Sequence, residues 1–170
     1  MLSFPASDFD EWAECYDHTA GQERGFPFEG YTDVLKKIVS LADPRHGESV
    51  LDLGTGTGNL AKRFADCDCE VYGMDFSPEM LEIARGKIPS MRIFLHDLHA
   101  PIPPELGHPF DFIVSAYVFH HFDLAEKARI IQRLLQHLNK GGQILIGDIM
   151  FTHRADLEKV KLECGDGWEE

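Results

Sequence analysis

The stretch VLDLGTGTGNLAKRF, residues 50–64, places Gly54, Gly56 and Gly58 at alternate positions directly after an apolar run. A short apolar run, a glycine-rich turn and a helical pattern together read as a strand feeding a helix around a ligand-binding loop. Spacing narrows the ligand. The dinucleotide fingerprint G-x-G-x-x-G, counted from Gly54, needs its third glycine at position 59, and that residue is Asn59. A nucleoside-triphosphate loop needs Gly-Lys-Ser/Thr at its end, whereas this loop closes with Gly58, Asn59 and Leu60. Both phosphate-binding readings fail on spacing.

Outward from this loop, apolar runs alternate with helical patterns. Strands are expected at residues 50–53, 70–75, 91–96, from 110 onward and at 143–150. Helices are expected at residues 60–65, from Ser77 to about Ile88, from Asp123 onward and at 154–163. Ser77 is a candidate N-cap with Pro78 at the first helical position, and Asp123 with Glu126 matches a capping box. Leu124, Ala128, Ile131, Leu134, Leu135 and Leu138 are expected to form the buried face of a long helix that "NKGG" (139–142) ends. Strands apolar on both faces and alternating with helices predict an α/β fold: a doubly wound, mainly parallel sheet. Upstream, Phe9, Trp12, Ala13 and Tyr16 fall at i, i+3, i+4 and i+7, and residues 31–41 repeat the pattern. The expected organisation is one domain, with residues 1–45 as a helical cover and 46–170 as the ligand-binding core.

Composition bounds the function. The 170 residues carry a net charge of −13, which disfavours polyanionic partners, so no nucleic acid is expected. No apolar run reaches membrane-spanning length and the start lacks a signal-peptide pattern, so no membrane association and a cytoplasmic location are expected. Cys15, Cys67, Cys69 and Cys164 read as free thiols, and the nine histidines match no zinc pattern, so no metal is expected.

Two acids sharpen the loop. Asp52, two residues before Gly54, is unhelpful beside a pyrophosphate and useful beside an ammonium group. Asp75 ends the next strand, where a carboxylate accepts hydrogen bonds from ribose hydroxyls. Together they describe a nucleoside without phosphates and with a cationic tail, which is the chemistry of S-adenosylmethionine. Each acid also has a plainer reading, Asp52 as a strand-end cap and Asp75 as a solvated strand end.

The sequence resembles the class I S-adenosylmethionine-dependent methyltransferases, most closely small bacterial members thought to act on small molecules. The resemblance runs from Phe9 to Phe151. It is carried by "VLDLGTGTGNL", "VYGMDFSPEML", "HDL" at 96–98, "FDFIVSAYVFHHF", "LLQHLNKGGQILIGD" and "FDEWAECYD". It implies a Rossmann-like fold, S-adenosyl-L-methionine as cofactor and S-adenosyl-L-homocysteine as product. By the same resemblance, Gly54, Thr55 and Gly56 approach the methionine end and Asp52 supports that loop. Asp75 holds the ribose, Phe76 and Met80 flank the adenine, and Asp97 and the Leu98 amide meet the adenine edge. Ser115 supplies backbone beside the methionine portion and Tyr16 closes over it. Structural readings compete: Asp97 as a turn acid, Phe76 and Met80 as core, and Trp12 and Tyr16 as helix packing.

Methyl transfer is an in-line displacement, so the protein must align the acceptor, exclude water and balance charge. The candidate bases are His120 and His121, just past the fourth strand, with Tyr117 nearby; packing or capping is their plainer role. The "SAYV" at 115–118 replaces the Asn/Asp-Pro-Pro-Tyr/Phe stretch of amino-methylating DNA enzymes, and there is no Pro-Cys. A small-molecule methyl acceptor is therefore expected, with a protein side chain as the lesser possibility and a non-catalytic cofactor-binding module as the alternative. The family's usual seven strands are not all accounted for: the chain provides five, which leaves the edge beyond the fifth bare and a monomer or homodimer as the expected state.

Overall fold

The computed structural model describes residues 6–164. Helices α1 (Ala6–Gln22) and α2 (Tyr31–Ala42) precede the sheet. Then follow β1 (Ser49–Leu53), α3 (Asn59–Ala65), β2 (Glu70–Asp75), α4 (Pro78–Lys87), β3 (Arg92–Leu95) and β4 (Phe110–Ala116). The last described elements are α5 (Leu124–Leu134), β5 (Leu138–Gly147) and α6 (Arg154–Cys164). The five strands form one sheet in the order β3-β2-β1-β4-β5, and every pairing is parallel. Successive strands step outward from β1 on one side, and the chain then crosses to β4 on the other. The carboxyl ends of β1 and β4 therefore flank the topological switch point, where a crevice opens.

β1 is buried at all five positions because helices cover both faces of the sheet. Strand alternation divides its side chains between two cores. Val50 packs with Leu35, Ile38, Phe64 and Val114 on the α2–α3 side. Leu51 and Leu53 pack with Tyr72, Met74, Ile113, Ile130 and Leu134 on the α5 side. The amino ends of the strands are tied by one acid. Asp111 Oδ2 accepts from the Ser49 backbone N–H at 2.8 Å, and its Oδ1 accepts from Asn139 Nδ2 at 2.7 Å.

The helix caps follow the sequence pattern. The Ser77 hydroxyl accepts from the Met80 N–H with Pro78 in the first turn, and Asp123 and Glu126 form a complete capping box. The long helix differs from expectation. α5 ends at Leu134, a 3-10 turn covers Leu135–His137, and "NKGG" lies within β5 rather than ending the helix. The inward line is Ile130 and Leu134. Leu124 is 83% and Leu135 57% exposed, and Ala128 is exposed as well. The apolar period runs unbroken through a helix, a tight turn and a strand start, which are three separate elements. The register with β4 jumps from Phe110↔Leu138 to Phe112↔Gln143, so residues 139–142 form an irregular bulge. Gly142 permits this, since a Cβ there would lie 2.9 Å from the Phe110 and Asp111 carbonyl oxygens. Among the described residues, no helix is long and apolar enough to cross a membrane.

Gly58 is the N-cap of α3 at φ 84°, and a Cβ added there would meet the Ala84 Cβ of α4 at 3.2 Å. Gly58→Ala is expected to lower stability by about 1–2 kcal/mol, the usual cost of a left-handed non-glycine residue. Urea unfolding of the variant beside wild type measures it.

Candidate active site

The glycine loop hangs between β1 and α3 and is fixed from below by two buried carboxylates. Asp52, 1% exposed, accepts on Oδ2 from the Thr55 hydroxyl at 2.9 Å and from the Ala61 N–H at 3.1 Å. One oxygen thus joins the end of β1, the loop and the first turn of α3. Asp75, 7% exposed, accepts from the Gly56 N–H at 2.8 Å on Oδ2 and from the Ser77 N–H at 2.9 Å on Oδ1. Each carboxylate oxygen has a second lone pair, so Asp75 keeps acceptor capacity after holding the loop. The Thr55 N–H donates to the Met74 carbonyl at 2.9 Å and locks the loop against β2. Gly54 must be glycine: its φ is 63° and a Cβ would fall 2.4 Å from Val118 Cγ2.

Burial pushes the Asp52 carboxyl up to about 7 and the neighbouring Asp75 adds to this, while the Thr55 and Ala61 hydrogen bonds oppose it. Asp75 is also raised by burial, against the pull of the Ser77, Gly56 and Phe76 backbone.

Two connected hollows lie over this loop. A small one of about 30 Å³ is lined by Tyr16, Tyr31, Asp52, Thr55, Asn59 and Ala116, among others. A large one of about 430 Å³ has Phe9, Phe76, Met80, Tyr117, Val118 and Phe122 among its apolar walls, with Asp75, Asp97 and Glu126 supplying carboxylates. Gly54, Gly56, Tyr16 and Ala116 border both. Tyr117 is turned into place by a left-handed backbone, φ 58°, which its N–H stabilises by donating to the Gly147 carbonyl at 2.9 Å.

The structure brings Asp52, Gly54, Thr55, Gly56, Asp75, Phe76, Met80, Asp97, Leu98, Tyr16 and His121 to these hollows. Ser115 stands apart, fully buried with its hydroxyl donating to the Leu53 carbonyl at 2.8 Å; the neighbouring wall residue is Ala116. Asp97 lies in a turn, where Oδ1 accepts from the His99 N–H at 2.9 Å, and its side chain is 63% exposed. His120 and His121 lie ring against ring at 4.0 Å but meet different partners. His121 lines the large hollow, and burial, with His120 adding, lowers it to about 4 against the opposing Asp148, so it is neutral at physiological pH. His120 is held by Asp148, whose two oxygens meet its N–H at 2.8 Å and Nδ1 at 2.7 Å.

Several residues here escaped the sequence reading. Phe9 packs edge-on against Phe76 at 5.0 Å and against His121 at 5.9 Å, so α1 supplies a wall. His96 lines the large hollow with a buried Nε2 that has no hydrogen-bond partner. Asp17 of α1 reaches the loop residues Thr57 and Asn59. The aromatic period marks the helix face that carries Phe9; Asp17, His96 and Asp148 lie within the motifs FDEWAECYD, HDL and LLQHLNKGGQILIGD, but the sequence assigns none of them a role.

Comparison with known proteins agrees with this fold. Residues 50–142 match the family model described as a methyltransferase domain. An uncharacterised methyltransferase of Anoxybacillus flavithermus is 36% identical over 160 residues, covering 92% of this chain and 72% of the relative. One from Bacillus velezensis is 33% identical over 168 residues, covering 95% and 76%. Among solved structures, a TehB-like S-adenosylmethionine-dependent methyltransferase from Corynebacterium glutamicum superposes with a TM-score of 0.66 at 20% identity, over 95% of this chain and 84% of that one. The chain belongs to the methyltransferase domain family, and its fold is that of the S-adenosylmethionine-dependent methyltransferase it superposes on.

Between pH 4 and 7 the folded free protein keeps a proton on Asp52 that the unfolded chain has released. This contribution therefore makes stability fall as pH rises through that window. His121 has the opposite slope, because the unfolded chain takes up a proton below about 6.5 and the folded one only near 4. Asp52→Asn removes the first contribution alone and keeps an acceptor oxygen for Thr55 and Ala61. The variant is expected to gain on wild type by about 2–4 kcal/mol between pH 4.5 and 7.5. Urea titrations at the two pH values measure the gap; a constant gap refutes a protonated Asp52.

Proposed function

We propose that the protein methylates a small-molecule acceptor, with the large hollow holding the nucleoside part of the cofactor and the acceptor approaching past Tyr117 and His121. The observation that carries this reading is Asp75. It is a buried acid at the carboxyl end of β2, already bonded to the glycine loop and with lone pairs left for a diol. The residues present suit S-adenosylmethionine. The hollow has an apolar wall at Phe76 and Met80 for a base, and the Asp52 and Asp75 carboxyls beside the glycine loop favour a cationic tail once ionised.

When bound, the cofactor supplies an electrophilic methyl group, and the chain supplies alignment and water exclusion. Phe9, Tyr16 and Tyr117 exclude water from the crevice. His121, held neutral, accepts a hydrogen bond from an acceptor N–H or O–H and orients its lone pair. His120, turned to Asp148, positions the loop that carries His121. A small acceptor is also supported by likeness to CalS10 of Micromonospora echinaspora, an amino pentose methyltransferase. That structure is 25% identical with a TM-score of 0.61, over 89% of this chain and 59% of that one.

Titration calorimetry with S-adenosylmethionine, S-adenosylhomocysteine and NAD tests the reading. Binding of the first two is expected, and binding of NAD alone would refute it. Asp75→Ala is expected to weaken S-adenosylmethionine by about 10–100-fold, the range for lost hydrogen bonds to a charged group. Unchanged affinity would move the ribose elsewhere.

A further inference from the structure

Asn59 is the residue that broke the dinucleotide pattern, and it is the hub of a polar cluster over the glycine loop. Its Nδ2 donates to Asp17 Oδ1 at 2.9 Å and to the Tyr31 hydroxyl at 3.3 Å, and its Oδ1 accepts from Lys87 Nζ at 2.9 Å. Asp17 also accepts from the Thr57 hydroxyl at 2.6 Å and pairs with Lys87 Nζ at 2.5 Å. Four elements meet here: α1 through Asp17, the loop and α3 through Thr57 and Asn59, α2 through Tyr31, and α4 through Lys87. Thr57 is 1% exposed, so its hydroxyl needs a partner within the protein, and Asp17 provides one.

α1 is also the outer wall of the cofactor hollow. Phe9 and Tyr16, on the same helix as Asp17, line it. A second polar contact, from the Ser77 hydroxyl to Asp10 Oδ1 at 2.5 Å, fastens the helix near its other end. Cofactor must enter and product must leave on every turnover, and α1 stands along the hollow they pass through.

We propose that Asp17, Thr57, Asn59 and Lys87 form a latch that fastens α1 over the bound cofactor and sets the rate at which S-adenosylhomocysteine leaves. The proposal rests on the cofactor reading above and adds to it a control on residence time. Asp17 is a positioning residue, acting on the cofactor through the helix it holds down. Its side chain is 40% exposed and that of Lys87 27%, so the pair is open enough to be screened by salt and to break reversibly. An asparagine at position 59 suits this role, since its amide bonds an anion and a cation at once. A glycine there would hold neither.

The test is stopped-flow dissociation of S-adenosylhomocysteine from wild type, Asp17→Ala, Lys87→Met and the double variant, with hydrogen exchange of residues 9–22 in the free proteins. Dissociation is expected to quicken at least tenfold in Asp17→Ala and a few-fold in Lys87→Met. The double variant should lie close to Asp17→Ala, because the two side chains act as one unit. Added salt should quicken release from wild type and leave Lys87→Met much less affected. Exchange in residues 9–22 should rise in both variants while β1 stays protected. Unchanged dissociation and exchange in both variants would overturn the latch and leave the cofactor reading standing. Failure of wild type to bind S-adenosylhomocysteine would overturn the cofactor reading and the latch with it, whatever the exchange in α1.

Discussion

The site depends on one carboxylate oxygen. Asp52 Oδ2 receives the Thr55 hydroxyl and the Ala61 N–H in the interior, where an unpaired polar group is costly. These bonds set how β1 gives way to α3. Once that corner is fixed, the loop's N–H groups have defined directions, and Gly56 finds Asp75 at the end of β2. Two acids on adjacent strands thereby hold one loop from two sides.

The parallel sheet brings these acids together. In a doubly wound order every strand presents its carboxyl end to the same edge, so residues far apart in sequence collect over one crevice. Asp75 comes from β2, His96 follows β3, and Tyr117 and His121 follow β4. The amino ends are bound by Asp111, Ser49 and Asn139 and carry none of the hollows described. α1 and α2 complete the crevice from outside the sheet with an aromatic cluster that includes Trp12, Tyr16, Phe28 and Tyr31.

Much of this was legible in the chain because it is local. Strand–loop–helix order around residues 50–64, the strand bounds at Glu70–Asp75 and the caps at Ser77 and Asp123 all depend on neighbours within a few residues. What escaped depends on distance. Asp17 meets Asn59 across 42 positions and His120 meets Asp148 across 28, and no periodicity encodes such pairs. The error at α5 has another origin. Leu138 continues the helical spacing but belongs to a strand, because the 3-10 turn at Leu135–His137 resets the chain's direction without altering the apolar count. His120 and His121 stay in ring contact at 4.0 Å within the 3-10 turn, and what distinguishes them is the pairing of His120 with Asp148, which lies 28 positions on.

Burial across the sheet is steeply graded. β1 has no position outside the core, whereas no residue of β3 or β5 is buried. Resistance to local opening follows the same gradient. The outer strands β3 and β5 are expected to open more readily than β2, β1 and β4, which lie beneath the hollows. A crevice seated over the most deeply buried strands keeps its geometry when the margins open. The α1 wall beside it can be mobile without the floor being so.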